Sequence, residues 1–198
     1  DNGEVLFAYD ALRRPIQRTD QIPDATVFVW DRATRLVQRT YPDGLNDTFT
    51  FDQASRLLTA ASARYSNTVT RAYDDAGRRT LERLSIGGQN FDVSGGFDAA
   101  SRRTGLTYPD GKQVVQAFTD RHQLSSVAYN GASVASMAYD LGMRQTTKTF
   151  GNAKVETRAY LPRLDDRLSS IVTPGVADFA YGNYDANKNP LTRNLAQD

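Results

Sequence analysis

The sequence of 198 residues contains no cysteine and only one histidine. Without cysteine, the chain has no disulfide framework and no thiolate to serve as a metal ligand or nucleophile. No apolar run approaches the ~18 residues that a membrane-spanning helix needs. No signal peptide opens the chain, and it begins with Asp1 rather than Met, so we expect a processed chain or a part of a longer one.

The chain also lacks an excess of charge of either sign. Its 24 basic and 23 acidic residues leave a formal net charge of +1. Proteins that bind nucleic acid keep a positive surplus for the phosphates, so we predict no nucleic acid partner. Disorder requires a high net charge as well as few apolar residues, so the balanced charge predicts a folded chain.

One short figure recurs along the whole sequence: an aromatic residue, Asp, three residues suited to a turn, and Arg. Its most complete copy runs from Tyr73 to Arg78, with Gly77 supplying the turn. The aromatic residues lie 21 to 24 positions apart, and they are Tyr9, Trp30, Phe51, Tyr73, Phe97, Phe118, Tyr139, Tyr160 and Tyr184. A fixed period in the twenties predicts an array of about nine small supersecondary units, which forms a single domain over residues 1–198.

The polar members of the figure recur with the rings. The aspartates are Asp10, Asp31, Asp52, Asp74, Asp98, Asp140 and Asp185, and the arginines are Arg14, Arg35, Arg56, Arg78, Arg102 and Arg144. Three copies depart from the pattern. Phe118 is followed by Thr119 and Gln123, Tyr160 by a displaced Arg167, and Tyr184 by Asn189 in the arginine place. Pro162, Asp165 and Asp166 indicate a loop insertion in the Tyr160 copy.

A second turn signal lies between successive rings, as in Tyr41-Pro42-Asp43-Gly44 and Asn130-Gly131. Pro at the first turn position and Gly or Asn at a later one favour hairpins between β-rich runs. No helical periodicity persists for more than two turns. We therefore predict an all-β fold of β-hairpins, with two strands and two turns in each repeat, forming a continuous spiralling antiparallel sheet.

The residue before each ring is usually small, as at Ala72 and Ala138. Because neighbours in a strand point to opposite faces, one face is predicted to carry the rings and the other mostly small side chains. We expect the rings to stack from repeat to repeat.

The recurring carboxylates could in principle form the acid pair of a glycosidase. Seven equivalent aspartates at one-repeat intervals instead indicate a structural rule, in which Asp accepts a hydrogen bond from the backbone N–H two residues further on. The arginine is expected either to reach that Asp across the turn or to lie over a ring of the adjacent repeat. His122 is interpreted as a turn residue. We predict no catalytic residue, no metal site and no cofactor, and therefore no enzyme.

The figure resembles the YD (tyrosine–aspartate) repeat of Rhs (rearrangement hot spot) proteins, toxin-complex shell components, wall-associated bacterial proteins and teneurins. The resemblance covers residues 9–193, and its full Tyr-Asp-x-x-Gly-Arg form occurs once, at Tyr73 to Arg78. It implies a long β-sheet wound into a hollow shell. In bacterial members that shell encloses a C-terminal toxin domain, and in teneurins it belongs to an adhesive extracellular region. The family's self-cleaving Asp-Pro and Gly-Leu motif has no match here, and neither does a toxin domain.

Two functions follow from the resemblance as expectations. The first is a non-catalytic structural segment of a shell that encapsulates or carries a polypeptide such as a secreted toxin domain. The alternative is an extracellular binding or adhesion module that recognises carbohydrate or a cell-surface partner. The expected partners are flanking YD repeats or copies of the same chain through the end strands. A secreted or cell-surface location after bacterial export follows from the resemblance.

Overall fold

A computed structural model describes residues 4–20, 24–162 and 166–196. These residues form eighteen β-strands, and they contain no helix, so none among them is long and apolar enough to cross a membrane. The strands are β1 (Leu6–Tyr9), β2 (Pro15–Thr19), β3 (Ala25–Trp30), β4 (Leu36–Thr40), β5 (Asn46–Phe51), β6 (Leu57–Ser62), β7 (Asn67–Tyr73), β8 (Arg79–Ile86), β9 (Gln89–Ser94), β10 (Gly105–Thr107), β11 (Gln113–Phe118), β12 (Leu124–Tyr129), β13 (Ala132–Tyr139), β14 (Gln145–Phe150), β15 (Val155–Tyr160), β16 (Leu168–Thr173), β17 (Ala177–Tyr184) and β18 (Pro190–Ala196). The all-β class is confirmed.

The chain divides into two compact halves. The first half comprises Asp1–Gly95 with Tyr108–Asp110, and the second half comprises Gly96–Thr107 with Gly111–Asp198. In the first half, strands β1 to β9 pair antiparallel, each with the next along the chain. Strands β10 to β18 follow the same rule in the second half. The antiparallel hairpin repeat is confirmed, whereas a single array over 1–198 stays a prediction.

Every recurring figure except the Tyr160 copy forms the same closed turn. In the first copy, the Asp10 N–H donates to the Arg14 carbonyl over 3.0 Å, and the Arg13 N–H donates to the Asp10 carbonyl over 2.9 Å. These bonds define a β-turn followed by one residue in the left-handed conformation, a common three-residue hairpin connection. The ring therefore ends one strand and the arginine precedes the next.

The left-handed position is occupied mostly by residues other than glycine. Gly77 has a φ of +79°, and the equivalent non-glycine residues, with φ between +61° and +67°, are Arg13, Thr34, Ser55, Ser101, His122, Met143 and Lys188. The sequence pattern indicated positive φ only where glycine stands. Closure of the turn imposes this conformation on whichever side chain is present, at a cost of about 1–3 kcal/mol for a strained residue.

The Tyr160 copy has a longer turn. The Leu161 N–H donates to the Arg167 carbonyl over 2.8 Å, so the loop closes around two additional residues, and Asp166 has a φ of +50°. The predicted loop insertion is therefore present at this position. Asp165 lies outside the described residues.

The intervening hairpins use the predicted turn residues. Gly44 has a φ of +81° at the end of the Tyr41-Pro42-Asp43-Gly44 turn, and its N–H donates to the Tyr41 carbonyl over 2.9 Å. Asn130 and Gly131 both have positive φ, at +48° and +81°, as a two-residue hairpin with right-handed twist requires.

Within each half the sheet has very few enclosed side chains. Among the described residues, Ala135 (5% exposed) is the only buried apolar residue and Asp47 (7% exposed) the only buried charged one. The recurring rings are mostly half-buried, and Tyr9 is the exception at 57% exposed. Because no thick core exists in the described part of the chain, contacts between adjacent strands carry the stability.

We predict that Thr34→Gly raises the free energy of unfolding by about 1 kcal/mol, because a β-branched residue is strained at a φ of +65° and glycine is not. The Thr34 side chain is exposed, so little packing is lost. Urea unfolding followed by circular dichroism measures the change.

Ala33→Gly is the matched control, because Ala33 lies in the same turn, is also exposed and does not have positive φ. Its loss of backbone restriction should cost about 0.5–1 kcal/mol. Equal destabilisation by both substitutions would show that the turn does not strain Thr34.

Candidate functional site

The recurring aspartate caps its own turn. The Asp31 Oδ1 atom accepts a hydrogen bond from the Ala33 N–H at 2.8 Å and another from the Arg35 N–H at 2.9 Å. The same oxygen of Asp10, Asp98 and Asp185 accepts bonds two and four residues further on. Each carboxylate therefore satisfies backbone N–H groups that the tight turn leaves without a ladder partner.

The second carboxylate oxygen holds the arginine of the same turn. The distance from the arginine Nε to the aspartate Oδ2 is 2.7 Å for Arg35 and Asp31, 2.6 Å for Arg56 and Asp52, and 2.7 Å for Arg78 and Asp74; the Asp10–Arg14, Asp98–Arg102 and Asp140–Arg144 pairs are equivalent. These side chains are only 18–33% exposed. Such charge-assisted hydrogen bonds fix the direction of the guanidinium plane.

The guanidinium so fixed reaches into the following repeat. Arg35 lies 4.9 Å from the centroid of the Phe51 ring, and its Nη1 donates to the Asp52 carbonyl at 2.9 Å. The other contacts of this kind are Arg14 with Trp30, Arg56 with Tyr73, Arg102 with Phe118, Arg144 with Tyr160 and Arg167 with Tyr184. We call this series the Asp–Arg–ring ladder. Five arginines make both of the contacts that the sequence presented as alternatives, and they are Arg14, Arg35, Arg56, Arg102 and Arg144.

The rings do not stack on one another in the way that we expected. A guanidinium, rather than a second ring, lies over each of the six rings in these contacts. The correction has a physical reason, because a planar cation on an aromatic face adds electrostatic attraction and also fills the space between repeats.

The polar end of the ring makes a further bond between repeats. The Tyr73 hydroxyl donates to the Leu57 carbonyl at 3.0 Å, and Leu57 directly follows Arg56. Tyr139, Tyr160 and Tyr184 make the same bond to the carbonyl of the residue that follows the arginine position of the preceding repeat, which is Leu124, Gln145 or Leu168. The Trp30 indole N–H donates to the equivalent carbonyl of Pro15. Phe51 and Phe118 have no such donor. These four tyrosines and Trp30 are therefore each connected to the preceding repeat by a hydrogen bond.

The degenerate copy at Phe118 keeps the link with different atoms. The Thr119 hydroxyl replaces the carboxylate and accepts the Gln123 N–H at 3.1 Å. The Gln123 amide then donates to the Met143 carbonyl of the next repeat at 2.9 Å. A neutral pair thus preserves the connection, and the guanidinium of Arg121 in the same turn donates to the Leu141 carbonyl at 2.6 Å.

The hydrogen bonds keep the aspartates charged. For Asp31, Asp52 and Asp74 the main cause is the backbone N–H of the arginine four residues on, which lowers the pKa of the carboxyl below its ordinary 3.8; partial burial acts in the opposite direction. For Asp140 the largest cause is the Arg144 side chain, and its pKa is lowered too. Groups that stay ionised in this way are structural partners rather than proton donors.

One cluster was missed by the sequence pattern. The Arg39 and Arg64 guanidinium groups lie 5.0 Å and 4.4 Å from the centroid of Tyr41, at a turn between two figures. The buried Asp47 accepts hydrogen bonds from Arg39 Nη2 at 2.6 Å and from the Tyr41 hydroxyl at 2.8 Å. Burial raises the pKa of Asp47, but the hydrogen bonds outweigh it and the net pKa is lowered. Only the residue order Arg-x-Tyr hinted at this cluster.

The remaining candidate from the sequence, His122, lies in the turn of the Phe118 copy. His122 is exposed, and its N–H closes the turn by donating to the Thr119 carbonyl at 3.0 Å. In the part of the chain that the structure describes, no three His, Cys, Asp or Glu side chains are grouped as metal ligands would be. The absence of an enzymatic activity stays a prediction.

Comparison with known proteins gives a likeness of fold. No family model matches the sequence, and no curated protein matches it. The solved structure of TcdB2–TccC3–Cdc42 matches 96% of this chain with a TM-score of 0.54 and 15% identity, and that of TcdB2–TccC3 matches 98% with the same score and identity. TcdB2–TccC3 without its hypervariable C-terminal region matches 96% at a TM-score of 0.54 and 16% identity. The chain spans only 12–13% of these longer proteins.

We predict opposite effects from exchanging a hydroxyl group at two equivalent rings. Tyr73→Phe removes the donor to the Leu57 carbonyl and should lower the free energy of unfolding by about 0.5–1.5 kcal/mol. Phe51→Tyr adds a hydroxyl at the equivalent place and should raise it by about 0.5–1 kcal/mol, provided that the Leu36 carbonyl accepts.

Urea titrations of both single variants measure the two changes, and the double variant is their control. Because the two substitutions change stability in opposite directions, the free energy of unfolding of the double variant should lie between those of the single variants. Destabilisation by Phe51→Tyr would show that the hydroxyl position of the ladder is not equivalent in the two repeats.

We also predict that stability falls in acid below the ordinary pKa of aspartate. A carboxyl whose pKa is lowered in the folded state stabilises the fold at pH values above its ordinary pKa of 3.8. This contribution is lost as the pH falls through the pKa of the folded state. Melting temperatures should therefore be nearly constant from pH 7 to about pH 5 and should decrease below about pH 4.

Asp74→Asn isolates one of these groups, since the amide oxygen still accepts from the backbone but carries no charge. Its melting temperature should be lower than that of the wild type at pH 7, and the difference should shrink below about pH 4. Asp75→Asn, at an exposed position in the same turn, is the matched control. A difference that stays constant across this pH range would contradict the assignment.

Proposed function

We propose that this chain is a non-catalytic structural segment of an Rhs/YD-repeat β-shell that encloses or carries a polypeptide cargo. The Asp–Arg–ring ladder is the observation that carries the proposal. Its charged and aromatic groups bond to the next repeat of the same chain, so they serve to join repeats. Turns with the same atoms in the same places recur through both halves.

The thin sheet is consistent with a wall. Side chains in each half are almost all open on one face or the other, and only Ala135 and Asp47 among the described residues are buried. A single layer with two accessible faces can separate an enclosed volume from its surroundings, whereas a globular enzyme needs a packed core to hold a precise site.

The YD-repeat resemblance favours a toxin-type cargo. The neighbours share the fold, and one of them was solved without a hypervariable C-terminal region. Together with the YD-repeat resemblance, this supports an enclosed polypeptide encoded in the same gene and an exported, secreted or cell-surface protein.

The rings do not favour the carbohydrate-binding alternative. A sugar binds by stacking on an open aromatic face, and in six repeats a guanidinium already covers one face of the ring. We therefore propose no second function for the ladder.

The proposal is tested on the full-length gene product that contains this segment. Limited proteolysis followed by mass spectrometry should reveal an intact cargo polypeptide that resists digestion while the native wall is intact. Arg56→Ala, which removes one guanidinium from the ladder, should make that cargo several-fold more sensitive to protease, because opening of the wall tracks local stability.

Arg32→Ala is the matched control, since Arg32 is an exposed residue of the turn that follows Trp30 and should leave cargo protection unchanged. Complete digestion of every segment outside the repeats in the wild-type protein would contradict encapsulation. Encapsulation would also be contradicted if the cargo were equally protected in the wild-type protein and in an Arg56→Ala variant that is shown to be less stable.

A further inference from the structure

Tyr139 is a recurring ring inside the sheet that no cation covers. Seven other recurring rings have a guanidinium carbon 4.7–5.7 Å from their centroid, and they are Trp30, Phe51, Tyr73, Phe97, Phe118, Tyr160 and Tyr184. Among the described residues, no arginine or lysine lies over Tyr139 in this way. Its strand, β13, pairs with both β12 and β14, so the difference is not an effect of a sheet edge.

The cause lies in the turn of the Phe118 copy, where Gln123 stands at the arginine place. Its amide oxygen accepts a hydrogen bond from the Thr119 hydroxyl at 3.0 Å, and its amide nitrogen donates to the Met143 carbonyl at 2.9 Å. An amide carries no charge, so Gln123 cannot place a cation over Tyr139 as Arg102 does over Phe118.

The backbone acceptor that accompanies a covering guanidinium is present beside Tyr139. At three other junctions, the arginine Nη1 donates to the carbonyl of the residue directly after the ring; these bonds join Arg14 to Asp31 at 3.1 Å, Arg35 to Asp52 at 2.9 Å and Arg102 to Thr119 at 3.1 Å. The residue after Tyr139 is Asp140, and its carbonyl accepts the Met143 N–H at 3.0 Å. A carbonyl oxygen has two lone pairs, so one of them has no donor among the described residues. The receiving half of the contact is therefore complete, whereas the donating half is missing.

An open cavity of about 310 Å³ adjoins the uncovered ring. Side chains and backbone from both turns line it, among them Thr119, Arg121, Gln123, Tyr139, Asp140 and Leu141. This volume lies at the lower end of the range of about 300–1,000 Å³ for small-molecule sites, so the cavity suits one side chain rather than a large ligand.

The charges around the cavity do not oppose a second cation. The formal charge of Arg121 is balanced by the neighbouring Asp120, and both residues are exposed, so solvent screens them. Arg144 is paired with the Asp140 carboxylate at 2.7 Å. The surroundings of Tyr139 therefore carry no net positive charge.

We propose that this cavity binds the side chain of an arginine residue presented by another polypeptide, with its guanidinium over the Tyr139 ring and an N–H donated to the Asp140 carbonyl. One planar guanidinium makes both contacts at Phe51, where Arg35 supplies it. An ammonium is a compact and strongly hydrated charge without a plane to stack, so lysine fits the site less well. This site goes beyond a purely structural role, because it gives the sheet a place where a partner chain attaches.

The test is an NMR titration of the full chain with the peptide acetyl-Gly-Arg-Gly-amide and its lysine counterpart. The ring resonances of isotope-labelled tyrosines and the backbone amide of Asp140 report binding. The arginine peptide should shift the Tyr139 ring in a saturable manner and leave Tyr160, which Arg144 covers, nearly unchanged. The lysine peptide should shift Tyr139 at least about threefold less at equal concentration.

A double substitution, Thr119→Asp with Gln123→Arg, restores the aspartate and the arginine of the figure within the chain. The new guanidinium should occupy the site, so peptide affinity should fall at least about tenfold while the melting temperature rises.

Two substitutions of the ring form a matched pair. Tyr139→Leu should abolish binding, because no aromatic face remains. Tyr139→Phe keeps the face and loses only the hydroxyl bond to the Leu124 carbonyl, so its affinity should stay within about twofold of the wild type.

A Tyr139 ring that does not respond to the arginine peptide would overturn the site, and an equal response to both peptides would overturn its preference for a guanidinium. Undiminished binding by the double variant would place the bound arginine elsewhere and would overturn the site as well. The titration requires no cargo, so the site can fail while encapsulation stands, and encapsulation can fail while Tyr139 still binds arginine.

Discussion

The structure depends on an arginine guanidinium group that binds the aspartate of its own turn and contacts the next repeat at the same time. The aspartate of a turn binds Nε of its arginine, and the remaining guanidinium atoms contact the ring and the carbonyl of the next repeat. An arginine that was free to rotate would lose side-chain entropy on each such contact. Because the turn has already oriented it, the same side chain closes the turn and sets the register between repeats.

This arrangement explains how a sheet with so few buried residues can have a defined structure. Strand register is normally specified by a buried face, since a slip of one residue would expose it. Here the face is only half-buried, and a slip would instead separate Arg35 from Phe51 and from the Asp52 carbonyl. The ladder therefore supplies the specificity that a core supplies elsewhere, and it does so with contacts between adjacent repeats.

The repeat, the all-β class and the hairpin turns could be predicted because each depends on local chemistry. The pattern Tyr-Asp-x-x-Gly-Arg predicts the turn that it forms, and Pro42 with Gly44 predicts the turn of an intervening hairpin. The contact of Arg35 with both Asp31 and Phe51 could not be chosen in advance, because the two partners lie on different strands whose separation is set by pairing. The left-handed conformation of Thr34 and Met143 could not be predicted from these residue types, since the hydrogen bonds that close the turn impose it. The Arg39–Tyr41–Asp47 cluster depends on a contact between β4 and β5 and has no second copy among the described residues, so no period revealed it.

The left-handed turn position has a consequence for how such a chain can diversify. Arg13, Thr34, Ser55, Ser101, His122 and Met143 share one backbone conformation and differ in charge, size and polarity. The position is defined by main-chain hydrogen bonds, so several kinds of side chain can occupy it, and Ser55 there also accepts a hydrogen bond from Arg35 Nη1 at 3.2 Å. Successive repeats consequently present a row of interchangeable side chains on a constant frame, and surface identity along that row can drift or be redesigned without altering the sheet beneath it.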